Sequence, residues 1–178
     1  MLLHCMRTSV SHQDTPWSRL ASRTARGLLV RKGISYEQLV DLLAAEGVSE
    51  SARGLEGKVQ RGSFRCSFFL QLLLAARADV PPSLWAHAKG ETWEDAAHKL
   101  FMQELSKQGL TFLQLSKRLG KIGVDIEPVS TERQVSNGSY PFTLLLQLSA
   151  VAPVVVLHRF VDQTDIEQAA TVATKLRV

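Results

Sequence analysis

The 178-residue sequence has only two cysteines and no apolar run that could cross a membrane. Its longest candidate, Leu148 to Leu157, contains a proline and is ten residues long, whereas a membrane helix needs about 20. Two cysteines are too few for a disulfide framework. His4 and Arg7 interrupt any apolar segment of a secretion signal. These absences predict a protein of a bacterial-type cytoplasm with no membrane segment.

Recognisable catalytic and metal-binding motifs are also lacking. The chain has no G-x-S-x-G element, P-loop or dinucleotide fingerprint. His87, His98 and His158 are scattered, and no cysteine or histidine pair near Cys5 has the spacing of a zinc site. Cys66 is expected to be a core thiol. We therefore expect no enzyme, no metal and no cofactor.

The composition is that of a globular protein, with 45% apolar and 21% charged residues. A net charge of +4 and a sequence pI near 9.3 permit an anionic partner. A charge of this size does not by itself establish nucleic-acid binding.

An internal repeat organises the chain. A shift of 76 positions aligns residues 17–77 with 93–153 without a gap and makes 17 of 61 positions identical, including a tryptophan and several glycines. Such self-similarity indicates a tandem duplication. The expected organisation is a disordered tail (1–15), copy one (16–80), a linker (81–91), copy two (92–153) and a C-terminal extension (154–178).

Each copy is predicted to contain four short helices. Trp17, Leu20, Leu28 and their neighbours follow the spacing of a buried helix face, after Thr15-Pro16 as cap and first turn. A second helix begins in each copy at a capping box, Ser35 to Gln38 or Thr111 to Gln114. The third and fourth helices of copy one are expected near 51–60 and 66–77.

The segments outside the copies are less regular. Pro81 and Pro82 break the chain between the copies, and 84–90 is compatible with a short linker helix. The run Val154 to Leu157 is ambiguous between strand and helix. Apolar spacing from Thr164 to Leu176 predicts a C-terminal helix.

The second and third helices of copy one have the layout of a helix-turn-helix, with a turn at Gly47-Val48 and an end at Arg61-Gly62. In that layout the start of the second helix meets phosphates, and the third helix enters the major groove. The expected DNA contacts are Ser35 and Tyr36 to phosphates, Ser51, Arg53 and Gly57 to base edges, and Lys58, Arg61 and Arg65 to the backbone.

Copy two is a poorer candidate for DNA binding. Residues 17–80 contain ten lysines and arginines against six acidic residues, whereas residues 93–160 contain seven against six. Asp125 and Glu127 replace Ser49 and Ser51, and duplex DNA repels such acidic groups. A stripe of arginines on the first helix of copy one, Arg19, Arg23 and Arg26, could rest against phosphates, but a solvated face is the favoured interpretation.

These residues carry a family resemblance. Trp17, the segments 33–39, 47–50 and 58–64, and Phe68-Phe69-Leu70-Gln71 resemble a bacterial domain of unknown function, number 6471. The resemblance extends more loosely over 93–152. It implies a λ-repressor-like helix-turn-helix fold and a role in DNA binding, with no established activity.

The sequence therefore predicts an all-α protein, a tandem pair of four-helix λ-repressor-like units with a C-terminal helix. The expected function is sequence-dependent binding of double-stranded DNA by a small transcriptional regulator of a bacterial or mobile-element operon. A homodimer, or a protein partner bound through copy two, is a further expectation. The alternative is a protein-interaction module, such as an inhibitor or adaptor in phage–host conflict, and RNA binding stays open.

Overall fold

The computed structural model describes residues 14–80 and 92–176, and every regular element in these ranges is helical. The predicted linker helix, the linker itself and nearly all of the predicted N-terminal tail lie outside the described residues. Copy one contains α1 (Pro16–Lys32), α2 (Tyr36–Ala45), α3 (Ala52–Arg61) and α4 (Cys66–Ala75). Copy two contains α5 (Trp93–Lys107), α6 (Phe112–Gly120), α7 (Pro128–Ser136) and α8 (Phe142–Val151). A 3₁₀ helix (Val155–Arg159) and α9 (Gln163–Lys175) follow.

The helices α1, α2 and α6 begin where the capping residues predict them. Thr15 forms a capping box with Ser18, and Pro16 occupies the first turn of α1. Ser35 with Gln38 and Thr111 with Gln114 form the two predicted capping boxes. The fourth helix ends at Ala75, two residues earlier than expected, and the ambiguous segment after Pro153 is a 3₁₀ helix rather than a strand.

The fourth helices pack across the boundary between the copies. α4 of copy one lies mainly against α5, the first helix of copy two, and α8 of copy two lies against α1. Within each copy the second helix contacts both the third and the fourth. One apolar core therefore runs through both copies. The first helix of each copy is covered in part by the fourth helix of the other copy.

A pseudo-twofold relation is visible where the loops before α4 and α8 meet. Arg65 and Pro141 occupy equivalent repeat positions and form an antiparallel bridge. The Cys66 N–H donates to the Tyr140 carbonyl at 3.0 Å, and the Phe142 N–H donates to the Phe64 carbonyl at 2.9 Å. Beneath this bridge the rings of Phe69 and Phe142 stack with centroids 3.9 Å apart. The two copies thus face each other as the subunits of a dimer do.

Two equivalent glycines allow the first and third helices of each copy to approach closely. Gly62 ends α3 with φ of 63°, and a Cβ there would lie 1.8 Å from the Ser18 carbonyl oxygen. Gly138 follows Asn137, the C-cap of α7, with φ of 62° and a Cβ position 2.0 Å from the Glu94 carbonyl oxygen. A side chain at position 62 would push α1 away from α3, and one at position 138 would push α5 away from α7.

The C-terminal helix breaks the pseudo-symmetry. α9 packs against α1 of copy one and α8 of copy two, and it buries Ile166 and Ala169. Near its end, the Ala173 carbonyl oxygen lies 2.9 Å from the Cβ position of Gly123, in the turn between α6 and α7. α9 therefore covers one side of the molecule and reaches the turn of copy two. Within the described ranges, no helix combines the length and apolar character that a membrane crossing requires.

Candidate nucleic-acid interface

The α2–α3 pair of copy one joins two ten-residue helices through residues 46–51. Leu39 and Leu43 of α2 and Leu55 and Val59 of α3 are all buried, and the two helices pack on each other. Because Leu55 and Val59 are four residues apart, they occupy the inner face of α3 and leave the opposite face in solvent.

The residues predicted to approach base edges lie on the outer, N-terminal part of α3. Ser51 is the N-cap, and its hydroxyl oxygen accepts the Gly54 N–H at 3.1 Å. Arg53 is exposed in the first turn. Gly57 is half-buried, and a guanidinium nitrogen of Arg61 lies 3.2 Å from its Cβ position. Arg53 is therefore the side chain of this set that reaches outward, and Ser51 first serves its own helix.

The two predicted phosphate contacts lie at the start of α2. The Ser35 hydroxyl oxygen accepts the Gln38 N–H at 3.2 Å, and the Gln38 amide oxygen accepts the Ser35 N–H at 2.9 Å. Burial and the nearby Glu56 carboxylate raise the pKa of Tyr36, against the opposing effect of Arg26. A phenol is already protonated at neutral pH, and the raised pKa keeps it so to higher pH, so the Tyr36 hydroxyl can donate to a phosphate oxygen.

Lys58, Arg61 and Arg65 line one groove of about 510 Å³ between α3, α4 and the start of α5, and Glu50 and Glu94 contribute two carboxylates to it. Arg61 and Arg65 are exposed, whereas the Lys58 ammonium pairs with Glu50 and lies 4.6 Å from the centre of the Phe68 ring. The structure thus brings the three predicted backbone contacts together but leaves Lys58 partly neutralised. Pattern reading missed the role of Glu50, because its eight-residue separation from Lys58 is not a helical pairing distance.

The equivalent surface of copy two has lost this basic set. Val129 replaces Arg53, and Gln134, Asn137 and Pro141 replace Lys58, Arg61 and Arg65. Glu127 caps α7, where its carboxylate accepts the Val129 and Ser130 N–H groups. Val129 is 63% exposed, so α7 presents an apolar side chain where α3 presents a guanidinium.

The turns of the two helix pairs also differ in access. Gly47, in the turn between α2 and α3, has a positive φ, and no described residue lies within 4 Å of its Cβ position. Its equivalent Gly123 is in contact with the end of α9. An outside partner of the described residues can therefore reach the turn of copy one more readily than that of copy two.

Histidine, cysteine and acidic side chains do not converge on a metal-binding arrangement within residues 14–80 and 92–176. Cys66 is completely buried, and burial raises the pKa of its thiol to about 12, with a smaller opposing effect of the hydrogen bond to Tyr140. That environment suits a structural core thiol rather than a reactive one.

Taken together, the fold defines an all-α protein built from two copies of one helical unit. Comparison with known proteins agrees, because the family model described as Domain of unknown function (DUF6471) matches residues 17–80 and 93–155. The chain belongs to this family and contains two tandem copies of its domain. No curated protein and no solved structure matches the chain.

Proposed function

We propose that the protein binds double-stranded DNA through copy one and acts as a small transcriptional regulator in a bacterial cytoplasm. The observation that carries the proposal is the exposed Arg53 on the outer face of α3, opposite the buried Leu55 and Val59. An arginine at the start of a helix in the major groove can donate two hydrogen bonds to a guanine edge.

The residues around α3 support contact with the DNA backbone. Arg61 and Arg65 are exposed in a common groove on one side of α3. The neutral hydroxyl of Tyr36 lies at the start of α2, where unpaired helix N–H groups favour an anion. Phosphate contacts of this kind would fix the position of α3, and Arg53 would supply the sequence preference.

Copy two takes a different role in this proposal. Its α7 lacks the basic residues of α3, and the end of α9 occupies its turn. Because α4 and α8 pack across the copies, copy two completes the fold of copy one. We therefore expect one base-reading helix for each chain, and an asymmetric target site for a monomer.

The test is a binding titration with the purified chain. The duplex upstream of its own coding sequence and a scrambled duplex of equal length are titrated at about 50 to 200 mM salt. Tighter, salt-sensitive binding to the upstream duplex supports an autoregulating repressor. Equal, weak binding to both duplexes contradicts a sequence-dependent function.

A protein partner is the second candidate function. Leu113 and Val129 are 56% and 63% exposed on the helix pair of copy two, where copy one has Glu37 and Arg53. Exposed apolar side chains in place of charges favour a protein contact over a DNA contact. High-affinity capture of one host protein, lost in Leu113→Asp and retained in Arg53→Ala, would select this function over DNA binding.

A further inference from the structure

A groove of about 350 Å³ lies between α1, the end of α3 and α9. The three arginines of the α1 stripe form one wall, Gln60 of α3 and Gln168 of α9 contribute amides, and α9 adds an apolar surface. Arg19, Arg23 and Arg26 are all exposed, as expected of a solvated stripe, and they face α9 across this groove.

The charge of this groove is one-sided. Of the described residues that line it, three carry guanidinium groups and none is acidic. By contrast, the groove beside α3 includes Glu50 and Glu94 among its cations, and the groove near the 3₁₀ helix includes Asp162 and Asp165. A concave surface with one sign of charge concentrates ions of the opposite sign.

The carboxylates near the stripe neutralise it weakly. Arg19 pairs with Asp14 at 3.0 Å, but the two side chains are 51% and 73% exposed. Arg23 approaches Asp165 only to 3.7 Å. Among the described residues, no carboxylate reaches Arg26 within ion-pair distance. Exposed pairs of this kind contribute little stability, so an incoming dianion can displace them.

The groove is specific to copy one and to the C-terminal extension. The repeat equivalents of Arg19, Arg23 and Arg26 are Asp95, Lys99 and Met102, which do not form a basic stripe. Three of the lining residues belong to α9, which lies beyond the second family match. The duplicated unit alone would therefore leave this cavity without one of its walls.

We propose that this groove binds a phosphate group, with Arg23 and Arg26 as the principal ligands and Gln168 as a neutral donor. The Gln60 amide group already donates to the Glu56 carboxylate at 3.1 Å. Guanidinium groups match the geometry of phosphate oxygens and donate strong, charge-assisted hydrogen bonds. The volume lies at the lower end of the range for small-ligand sites, about 300–1,000 Å³. The phosphate can be carried by a free small molecule or by the backbone of a bound duplex, and the two sources require the same chemistry.

The test uses the full chain and inorganic pyrophosphate as the probe, with heat of binding as the measurement. The double variant Arg23→Gln/Arg26→Gln removes two charges and keeps the side-chain length and polarity. Arg133→Gln removes one charge at a remote site and is the control, because Arg133 is exposed on α7 away from the groove. The circular dichroism spectrum and melting temperature of each variant verify that it is folded.

We expect pyrophosphate to bind the wild-type chain and Arg133→Gln alike, and to bind the double variant at least about tenfold more weakly. A second titration adds short duplexes with and without pyrophosphate. Pyrophosphate binding that leaves duplex affinity unchanged identifies a free phosphate ligand. A loss of affinity for every duplex in the double variant, with competition by pyrophosphate, identifies the DNA backbone as the source.

The proposal is overturned if the double variant equals the wild type in both titrations. It is also overturned if Arg133→Gln loses as much affinity as the double variant, because generic positive charge would then explain the binding. The site is independent of base reading. Arg53→Ala should retain pyrophosphate affinity, so a failure of the DNA-binding proposal leaves this measurement informative.

Discussion

Replacement of Gly62 by alanine tests the close approach of α1 and α3. The added Cβ would lie 1.8 Å from the Ser18 carbonyl oxygen and 2.7 Å from the Ser18 carbonyl carbon. An ordinary carbon–oxygen contact is about 3.3 Å, so the two helices would have to separate by roughly 1.5 Å. Alanine would also be strained at the positive φ of 63°, which glycine adopts freely.

Gly33 provides the matched control. It ends α1 with φ of 62°, almost the value at Gly62, but no described residue lies within 4 Å of its Cβ position. Gly33→Ala should therefore report the conformational strain alone, about 1–2 kcal/mol. Gly62→Ala should cost more than about 4 kcal/mol, because backbone atoms rather than a flexible side chain must move.

Thermal unfolding followed by circular dichroism measures both variants. For a chain of this size the control should lower the melting temperature by roughly 2–8 °C, and Gly62→Ala by more than about 10 °C. Gly138→Ala should resemble Gly62→Ala, because its Cβ position is 2.0 Å from the Glu94 carbonyl oxygen. Equal losses from Gly33→Ala and Gly62→Ala would refute the close helix approach.

Three further predictions concern the core and the groove beside α3. In a Cys5→Ser background, Cys66 should resist a thiol reagent at pH 8 until denaturant is added, and rapid labelling of the folded chain would contradict its burial. Tyr140→Phe removes a 2.7 Å hydrogen bond to the Ala97 carbonyl oxygen and should lower the free energy of unfolding in urea by about 1 kcal/mol; an unchanged value would show that the bond contributes nothing. Arg61→Ala should reduce the salt slope of DNA binding by about 1, and Lys58→Ala by less, because Lys58 is paired with Glu50; the reverse order would contradict this pairing.

Local features of the fold could be predicted from the sequence because they depend on neighbouring residues. Thr15-Pro16 and the two capping boxes fix where α1, α2 and α6 begin, through hydrogen bonds that span three residues. The shift of 76 positions and the glycines it aligns identified the two copies, which the family matches confirm.

The packing of the fourth helices across the copies could not be predicted in the same way. α4 is apolar on nearly all sides, with eight of its ten residues buried, so its pattern does not distinguish α1 from α5 as its neighbour. The choice depends on the path of the chain at Arg65 and Pro141, where the two loops pair. A repeat in sequence is equally compatible with separate and intertwined units.

In the candidate site, too, the local grouping of residues could be predicted and the long-range packing could not. The grouping of Lys58, Arg61 and Arg65 follows from their closeness in sequence at the end of α3, and the structure brings them to one groove. The cavity at Arg19, Arg23 and Arg26 depends instead on α9, which lies more than 130 residues further along the chain. Helical spacing placed the arginines on one face but gave no information about the helix opposite them.

The most direct test of DNA binding through copy one compares Arg53→Ala with Val129→Ala, the equivalent position of copy two. Each variant is titrated against a preferred duplex and a scrambled duplex at one salt concentration. We predict that Arg53→Ala lowers the ratio of the two affinities. The fall corresponds to a loss of about 1–3 kcal/mol in the difference between the two binding free energies, whereas Val129→Ala leaves the ratio unchanged. An unchanged ratio in Arg53→Ala, or an equal loss in both variants, would contradict base reading by copy one.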